Sequence, residues 1–459
     1  MSRRTPGRST PASYPADLRH ALRRFLPSDS LPLLNDDGRI RWVPRMLVIA
    51  AILMAWSPAL HLVDRFAEAY DAVVAMFPGR RRPGKTHEGF AAALARQSQT
   101  LLEQLAQHWR LAVQETAGAY WEVGGWLLFG VDGTKLDCPR TEANEKAFGT
   151  SGKNNSGPQL LLTSLFHIGT GLLWDFCRDG LKGSSERGHL SRMLSTLPLN
   201  AMLLADAGFT GYDLLKSLLG GGRHFLIRVG SNVRLLKKLG YRVREHGQVV
   251  YLWPNQKQGR TGRHGRRLPK DLSKVHAPLV LRLITLVDER GRKMALLTDV
   301  LDRRKLSDAA AARMYGLRWG VEVAWRGLKQ TMGRGRLHSA SPAHVRTELD
   351  WAMAGFWMLG LLAVSRLIET GQDPRQASVA AALRAVREAM RPGGKRRRSL
   401  ACLLAEALKD GYKRRGSKKA RNYPHKRRQK PPGLPRARKA TAAEVRLAKR
   451  VRERESQNR

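Results

Sequence analysis

The stretch WLLFGVD, residues 126–132, is a short apolar run that closes on a carboxylate, and the fold turns on how it is read. A run this short, bounded by Gly, fits a buried strand better than a helix. Two more follow, GPQLLLTSLFHI (157–168) and GLLWDFC (171–177), separated by Gly-Thr-Gly as a hairpin would be. After a helix over about 187–197 comes AMLLADAGF (201–209), a second apolar run that ends in a carboxylate, Asp206. A short helix over 212–219 and the strand HFLIRV (224–229) complete the set. The order strand-strand-strand-helix-strand-helix-strand is that of an α/β fold.

Outward from this core the periodicity changes. Residues 16–120 alternate helical patterns with breakers such as Ser57-Pro58 and form a helical N-terminal domain, preceded by a disordered basic arm over 1–15. The core's first part covers 121–230. Residues 231–300 hold QVVYLWP, LVLRLITLVD and a basic loop, GRTGRHGRRLPKD, and read as a β-strand insertion. Ser307 is placed to cap a helix reaching about Met332, and with the buried helix Glu348–Ile368 it makes 301–390 the core's second part. Residues 391–459 are a basic tail. Between Lys413 and Lys439 it has no acidic residue, so a solvated, disordered segment that touches phosphates is expected.

The 459 residues carry 82 Lys+Arg against 38 Asp+Glu, a formal charge of +44. Solubility needs only about 2–8 charges, so the excess points to a polyanionic partner, nucleic acid first. Cys138, Cys177 and Cys402 form no C-x-x-C pair, which argues against a structural zinc and fits a reducing cytoplasm. The apolar runs Met46–Trp56 and Trp351–Val364 fall short of the roughly 18–20 residues that span a bilayer. Both are read as buried helices, with no membrane partner.

A strand ending in Asp is by itself as well explained by a turn or a cap. Weight comes from a third carboxylate in YGLRWGVEVAWRGLK, residues 315–329. On one continuous helix Tyr315, Arg318, Glu322 and Lys329 would share an arc of about 60°, beside an apolar stripe of Leu317, Val321, Ala324 and Leu328. An exposed Arg318–Glu322 ladder is the plainer alternative. Two-metal phosphoryl transfer, however, needs several hard oxygen ligands to hold two Mg²⁺ ions about 4 Å apart across a scissile phosphate, and three carboxylates suffice with water and phosphate. Glu186 and His189, in LKGSSERGHL, are weaker candidates for the same site, in a loop that reads chiefly as a helix cap.

Tyr-x2-Arg-x3-Glu-x6-Lys is met here without a gap, and the chain resembles the DDE transposases of the insertion-sequence-four type from about Trp126 to Arg366. The resemblance implies a ribonuclease-H-like catalytic core interrupted by the β-rich insertion. It implies Asp132, Asp206 and Glu322 as catalytic metal ligands, and Tyr315, Arg318 and Lys329 as contacts to DNA phosphates. Two Mg²⁺ ions, with Mn²⁺ as a substitute, are the implied cofactors. Double-stranded DNA, as transposon ends and target, is the implied partner of a homodimer. The implied activity is cleavage of element ends and transfer of the 3′-hydroxyl to target DNA. A catalytically idle or purely hydrolytic DNA-binding protein of the same fold is the alternative. The family carries a base-stacking Trp on the strand before Leu-Leu-Thr; KMALLTDV offers Met294 instead, with Trp253 as a substitute if the insertion turns it inward, although Trp253 reads chiefly as a core or strand-edge residue.

Overall fold

The computed structural model describes residues 14–26, 41–78, 80, 82–150, 157–242, 247–254, 276–287, 291–391, 398–410 and 433–457. Nearly all of the N-terminal arm, the loop GRTGRHGRRLPKD and the tail from Lys413 to residue 432 lie outside these residues. The chain divides into two compact units. One comprises Met1–Trp121, Gly133–Ser184 and Glu322–Tyr412; the other comprises Glu122–Asp132, Ser185–Val321 and Lys413–Arg459.

The first unit opens with helices α1 (Tyr14–Arg23), α2 (Pro44–Trp56), α3 (Leu62–Met76) and α4 (His87–Ala117). Strand β1 (Leu128–Asp137) enters it at Gly133, followed by α5 (Glu142–Phe148) and the antiparallel hairpin β2 (Gln159–His167) and β3 (Leu172–Gly180). In this unit the sheet runs β1-β2-β3. The helix α5 between β1 and β2 was not foreseen; Thr141 caps it by accepting from Asn144 N.

The second unit continues with α6 (Glu186–Met193), β4 (Met202–Ala205), α7 (Tyr212–Gly220) and β5 (His224–Val229). The insertion adds β6 (Arg234–Lys237), β7 (Val249–Leu252), β8 (Leu279–Val287) and β9 (Lys293–Thr298). Helices α8 (Asp308–Leu317) and α9 (Trp319–Arg326) follow, the latter continuing into the first unit from Glu322. The first unit then gains α10 (Pro342–Glu369), α11 (Val379–Met390) and α12 (Leu400–Ala405). In the second unit β1 pairs parallel with β4, and β4 parallel with β5; antiparallel β9 then joins β5 to β8 and the rest of the insertion. The order β3-β2-β1 in one unit and β1-β4-β5 in the other is that of a ribonuclease-H-like core, so the α/β expectation holds.

Two expectations need correction. The helical N-terminal residues do not form a unit of their own, because α2 and α4 pack on α10. Trp56 Nε1 donates to Gly355 O at 2.8 Å, and a Cβ at Gly355 would meet the Ala55 Cβ at 2.5 Å, so the two helices touch backbone to backbone. The tail is only partly tail. Its residues Arg436–Lys439 form β10, parallel to β6, and Ala442–Gln457 form α13. Ala440 and Ala448 are buried in one cluster with Leu239 and Tyr251, with Val445 against it. Apolar residues at helical spacing thus dock a segment whose charge suggested solvation. Trp253 packs on the same cluster and donates from Nε1 to His276 O at 2.8 Å, which makes it a packing residue of the insertion.

The helix α10 is long and apolar enough to cross a membrane, but most of it is buried in protein, as expected of a core helix. The three cysteines are free thiols.

The junction of insertion and core carries a titratable clamp. His224 Nδ1 lies 2.6 Å from Asp299 Oδ2, and Phe225 N donates to Asp299 Oδ1 at 3.0 Å. The hydrogen bond to Asp299 raises the His224 pKa above its ordinary value. Protonated His224 is the bonded form, so its stabilisation is complete below about pH 6.5 and fades as pH rises through the higher folded value. The thermal midpoint should therefore fall modestly as pH is raised from about 6 to 8, and Asp299→Asn should flatten that dependence. A profile of equal slope in both proteins would rule the clamp out.

Candidate active site

Asp132 lies within β1, not at its end: the strand continues for five residues to Asp137. The strand is paired on both sides, with Leu128–Gly130 in register with β4 and β2 as its other neighbour. Asp206 follows the last residue of β4 and accepts from Gly208 N at 2.8 Å, capping a single 3-10 turn. The parallel register pairs Leu128 with Met202, Phe129 with Leu203 and Gly130 with Leu204. The pairing ends there, two residues before Asp132 on one strand and two before Asp206 on the other. Asp132 and Asp206 are both half-buried and follow paired segments of neighbouring strands.

Glu186 approaches the same turn. A Cβ at Gly208 would lie 2.9 Å from Asp206 Oδ1 and 3.7 Å from Glu186 Oε2, so both carboxylates converge on this glycine. Arg187 Nε donates to Gly208 O at 2.6 Å and fixes the turn, while Ser185 caps α6 by accepting from Gly188 N at 3.2 Å. The segment is a cap, as the sequence suggests, and it also brings Glu186 to the turn.

Tyr315 and Arg318 belong to the same unit. Ser307 caps α8, accepting from Ala310 N at 3.1 Å, and Tyr315 is buried near its end. Burial raises the Tyr315 pKa, with Arg318 and Arg228 pulling it down and Asp206 pushing it up. Arg228, on β5, was not singled out from the sequence, where it reads as one cation in an apolar run. The Arg318 guanidinium lies 5.8 Å from the Tyr315 ring centroid.

Glu322 and Lys329 fall in the first unit. The continuous stripe expected over 315–329 is interrupted. Arg318 N bonds to Tyr315 O and Val321 N to Arg318 O, a tight turn between α8 and α9 flanked by Gly316 and Gly320. A π-turn then covers Gly327–Thr331, with Met332 N bonding to Gly327 O at 2.9 Å, so a single 100° wheel does not place Lys329. Two anchors hold this helical segment. Trp325 packs edge-on against Phe166 of β2 at 5.7 Å, and Lys329 Nζ donates to Lys135 O at 2.9 Å and Thr134 Oγ1 at 3.2 Å on β1. Met294, opposite Leu286 in the β8–β9 ladder, is half-buried.

The donors fit a hard cation: Asp132 on β1, Asp206 just after the neighbouring β4 and Glu186 near Asp206 offer carboxylate oxygens, and the set includes no thiolate. A ribonuclease-H-like sheet with paired carboxylates at neighbouring strands defines a class of metal-dependent phosphoryl-transfer enzymes. Within that class, the transposase DDE domain family matches residues 128–357, and the chain belongs to that family. It is 24% identical over 336 residues to the transposase InsG for insertion sequence element IS4 of Escherichia coli (strain K12), covering 69% of this chain and 70% of that one. Among solved structures it is similar to the piggyBac transposase in a synaptic complex with hairpin DNA. That likeness has 12% identity, 89% and 88% coverage of the two chains and a TM-score of 0.42. The chain is a DDE-type DNA transposase, a DNA-binding enzyme of a family that uses divalent metal.

Proposed function

We propose that the chain binds the ends of an insertion sequence as a homodimer in the cytoplasm, cleaves them and joins the freed 3′-hydroxyl to target DNA, with Asp132, Asp206 and Glu322 as ligands of two Mg²⁺ ions. The parallel register of β1 with β4, Leu128 to Met202 through Gly130 to Leu204, is the observation that supports this reading, since each of these segments leads into one of the two aspartates. Glu322 joins them on the unbroken Tyr315, Arg318, Glu322, Lys329 spacing. When bound, the ions supply a nucleophile from water or a 3′-hydroxyl and stabilise the leaving oxygen of an in-line displacement. The protein's own part is to hold the carboxylates rigidly, with Asp206 fixed by its turn and Asp132 by its place within β1. Tyr315 and Arg318 are assigned to DNA phosphate, which a charge-assisted donor and a hydroxyl suit. Lys329 is assigned there too, and engaging a phosphate would require it to leave its two partners on β1.

Purified protein and a labelled duplex carrying the DNA that flanks the gene test the proposal. Cleavage and strand transfer should require Mg²⁺ or Mn²⁺ and cease with chelator. Cleavage without joining would favour the hydrolytic alternative, and metal-independent binding with no cleavage the idle one.

A further inference from the structure

The edge of the insertion sheet carries a charge arrangement that folding does not explain. Strand β10 lies parallel to β6 with Arg436 in register with Arg234 and Lys439 with Lys237, and all four side chains are exposed. Neighbouring strands are about 4.8 Å apart, and like charges placed directly opposite one another are destabilising. The docked α13 adds to the same charge. At 100° per residue Arg446, Arg450 and Arg454 fall within an arc of about 80°, opposite the face that Val445, Ala448 and Val451 turn inward. Lys449 borders that arc, and Glu453 is the one acidic residue near it. Glu444 is turned to Arg438 and Thr441, and Glu455 to Tyr241.

We propose that the β6–β10 edge and the outer face of α13 form a built phosphate-binding surface for duplex DNA, a second contact on the duplex whose end is cleaved. Side chains alternate faces along a strand, so Arg234 and Arg436 share the face of Leu236, which packs against the α13 cluster, while Lys237 and Lys439 lie on the other. A polyanion on the α13 side relieves the Arg–Arg repulsion, and a stripe of three arginines on a docked helix meets phosphates without the ordering cost of a flexible tail. In the second unit's sheet β10 stands six strand spacings from β4, the strand that leads into Asp206. At about 4.8 Å each this is roughly 30 Å, or about nine base pairs of B-DNA. The proposal rests on the transposase reading and adds to it where the duplex runs beyond the cleaved end.

The test uses the full chain and a duplex of about 40 base pairs carrying the element's terminal sequence, long enough for many phosphate contacts. Arg446→Ala/Arg450→Ala/Arg454→Ala should lower the slope of log affinity against log salt by up to about 3, at about 0.9 per phosphate lost. Its footprint should shorten about nine base pairs from the cleaved position, with Mg²⁺-dependent cleavage kept at saturating DNA. The Arg→Lys version of the same triple should keep both slope and footprint. Arg436→Thr should weaken binding while leaving the thermal midpoint unchanged or raised, because a repulsion is removed from the free protein. An unchanged salt slope in the Ala triple, or a footprint that shortens only beside the cleaved position, would overturn the proposal. Loss of cleavage in the wild-type protein would instead count against the transposase reading.

Discussion

Asp132→Asn, Asp206→Asn and Glu322→Gln are each expected to lower Mg²⁺-dependent cleavage about a thousand-fold or more, with DNA affinity in chelator nearly unchanged. Each change preserves size and shape while exchanging an anionic oxygen for an amide. Metal stabilisation of the reacting oxygens is worth several kcal/mol, and each 1.36 kcal/mol is tenfold in rate. The fold should survive. In Asp206→Asn the amide oxygen can still accept from Gly208 N, and Asp132 and Glu322 are half-buried residues outside the apolar core. Single-turnover cleavage of a labelled end duplex, with competition binding alongside, separates chemistry from binding. A variant that cleaves within tenfold of the parent is not a ligand. The three residues can be judged separately, because the two aspartates rest on strand register and Glu322 on the Tyr-Arg-Glu-Lys spacing.

The difference between what the sequence reveals and what it hides follows from the range of the interactions. AMLLADAGF shows its strand and its terminal Asp because an apolar run and an Asp-x-Gly cap are local signals, and the structure returns both. WLLFGVD shows its strand but not its length. Gly133 and Lys135 are weak strand formers, held extended by neighbours more than twenty residues away. The register of β1 with β4, which leads into Asp132 and Asp206, is likewise set 74 positions apart, so composition cannot reveal it. The signature spacing is visible as a pattern, yet a wheel drawn on it fails after Arg318, because a tight turn and a π-turn change the phase. Charge conceals the docked tail. Three small apolar side chains in α13 suffice to seat it, and their signal is diluted by cations that face outward.

Glu348→Gln is expected to destabilise the first unit by about 3 kcal/mol, because it leaves buried guanidinium groups without their counter-charge. Glu348 Oε2 accepts from His338 N, Ser339 N and Ser339 Oγ at 2.9, 2.9 and 2.8 Å, and its other oxygen lies 3.7 Å from Arg65. Arg65 and Arg334 are each 3% exposed. Burial disfavours the charge on both, Arg65 adds to that at Arg334, and Glu348 opposes it at each. Arg334 meanwhile donates to Met54 O, Ala55 O and Ser57 O at 3.1, 3.1 and 2.9 Å, satisfying the carbonyls at the C-terminus of α2. Its own backbone N is bonded to Leu328 O within the segment that carries Lys329, so the loss reaches from α2 to the signature helix. Gln keeps an acceptor for Ser339 but removes the charge. Breaking a buried pair costs about 3–5 kcal/mol; Arg65, Arg334, His338 and Glu348 line a cavity of about 480 Å³, roomy enough to admit water, which favours the lower figure. Urea unfolding at constant m-value measures it. Arg65→Met should cost less than Glu348→Gln, since it removes one of the two cations along with part of the repulsion at Arg334. Equal stability of Glu348→Gln and the parent, within about 1 kcal/mol, would show that hydrogen bonds to carbonyls alone hold the two guanidinium groups in place.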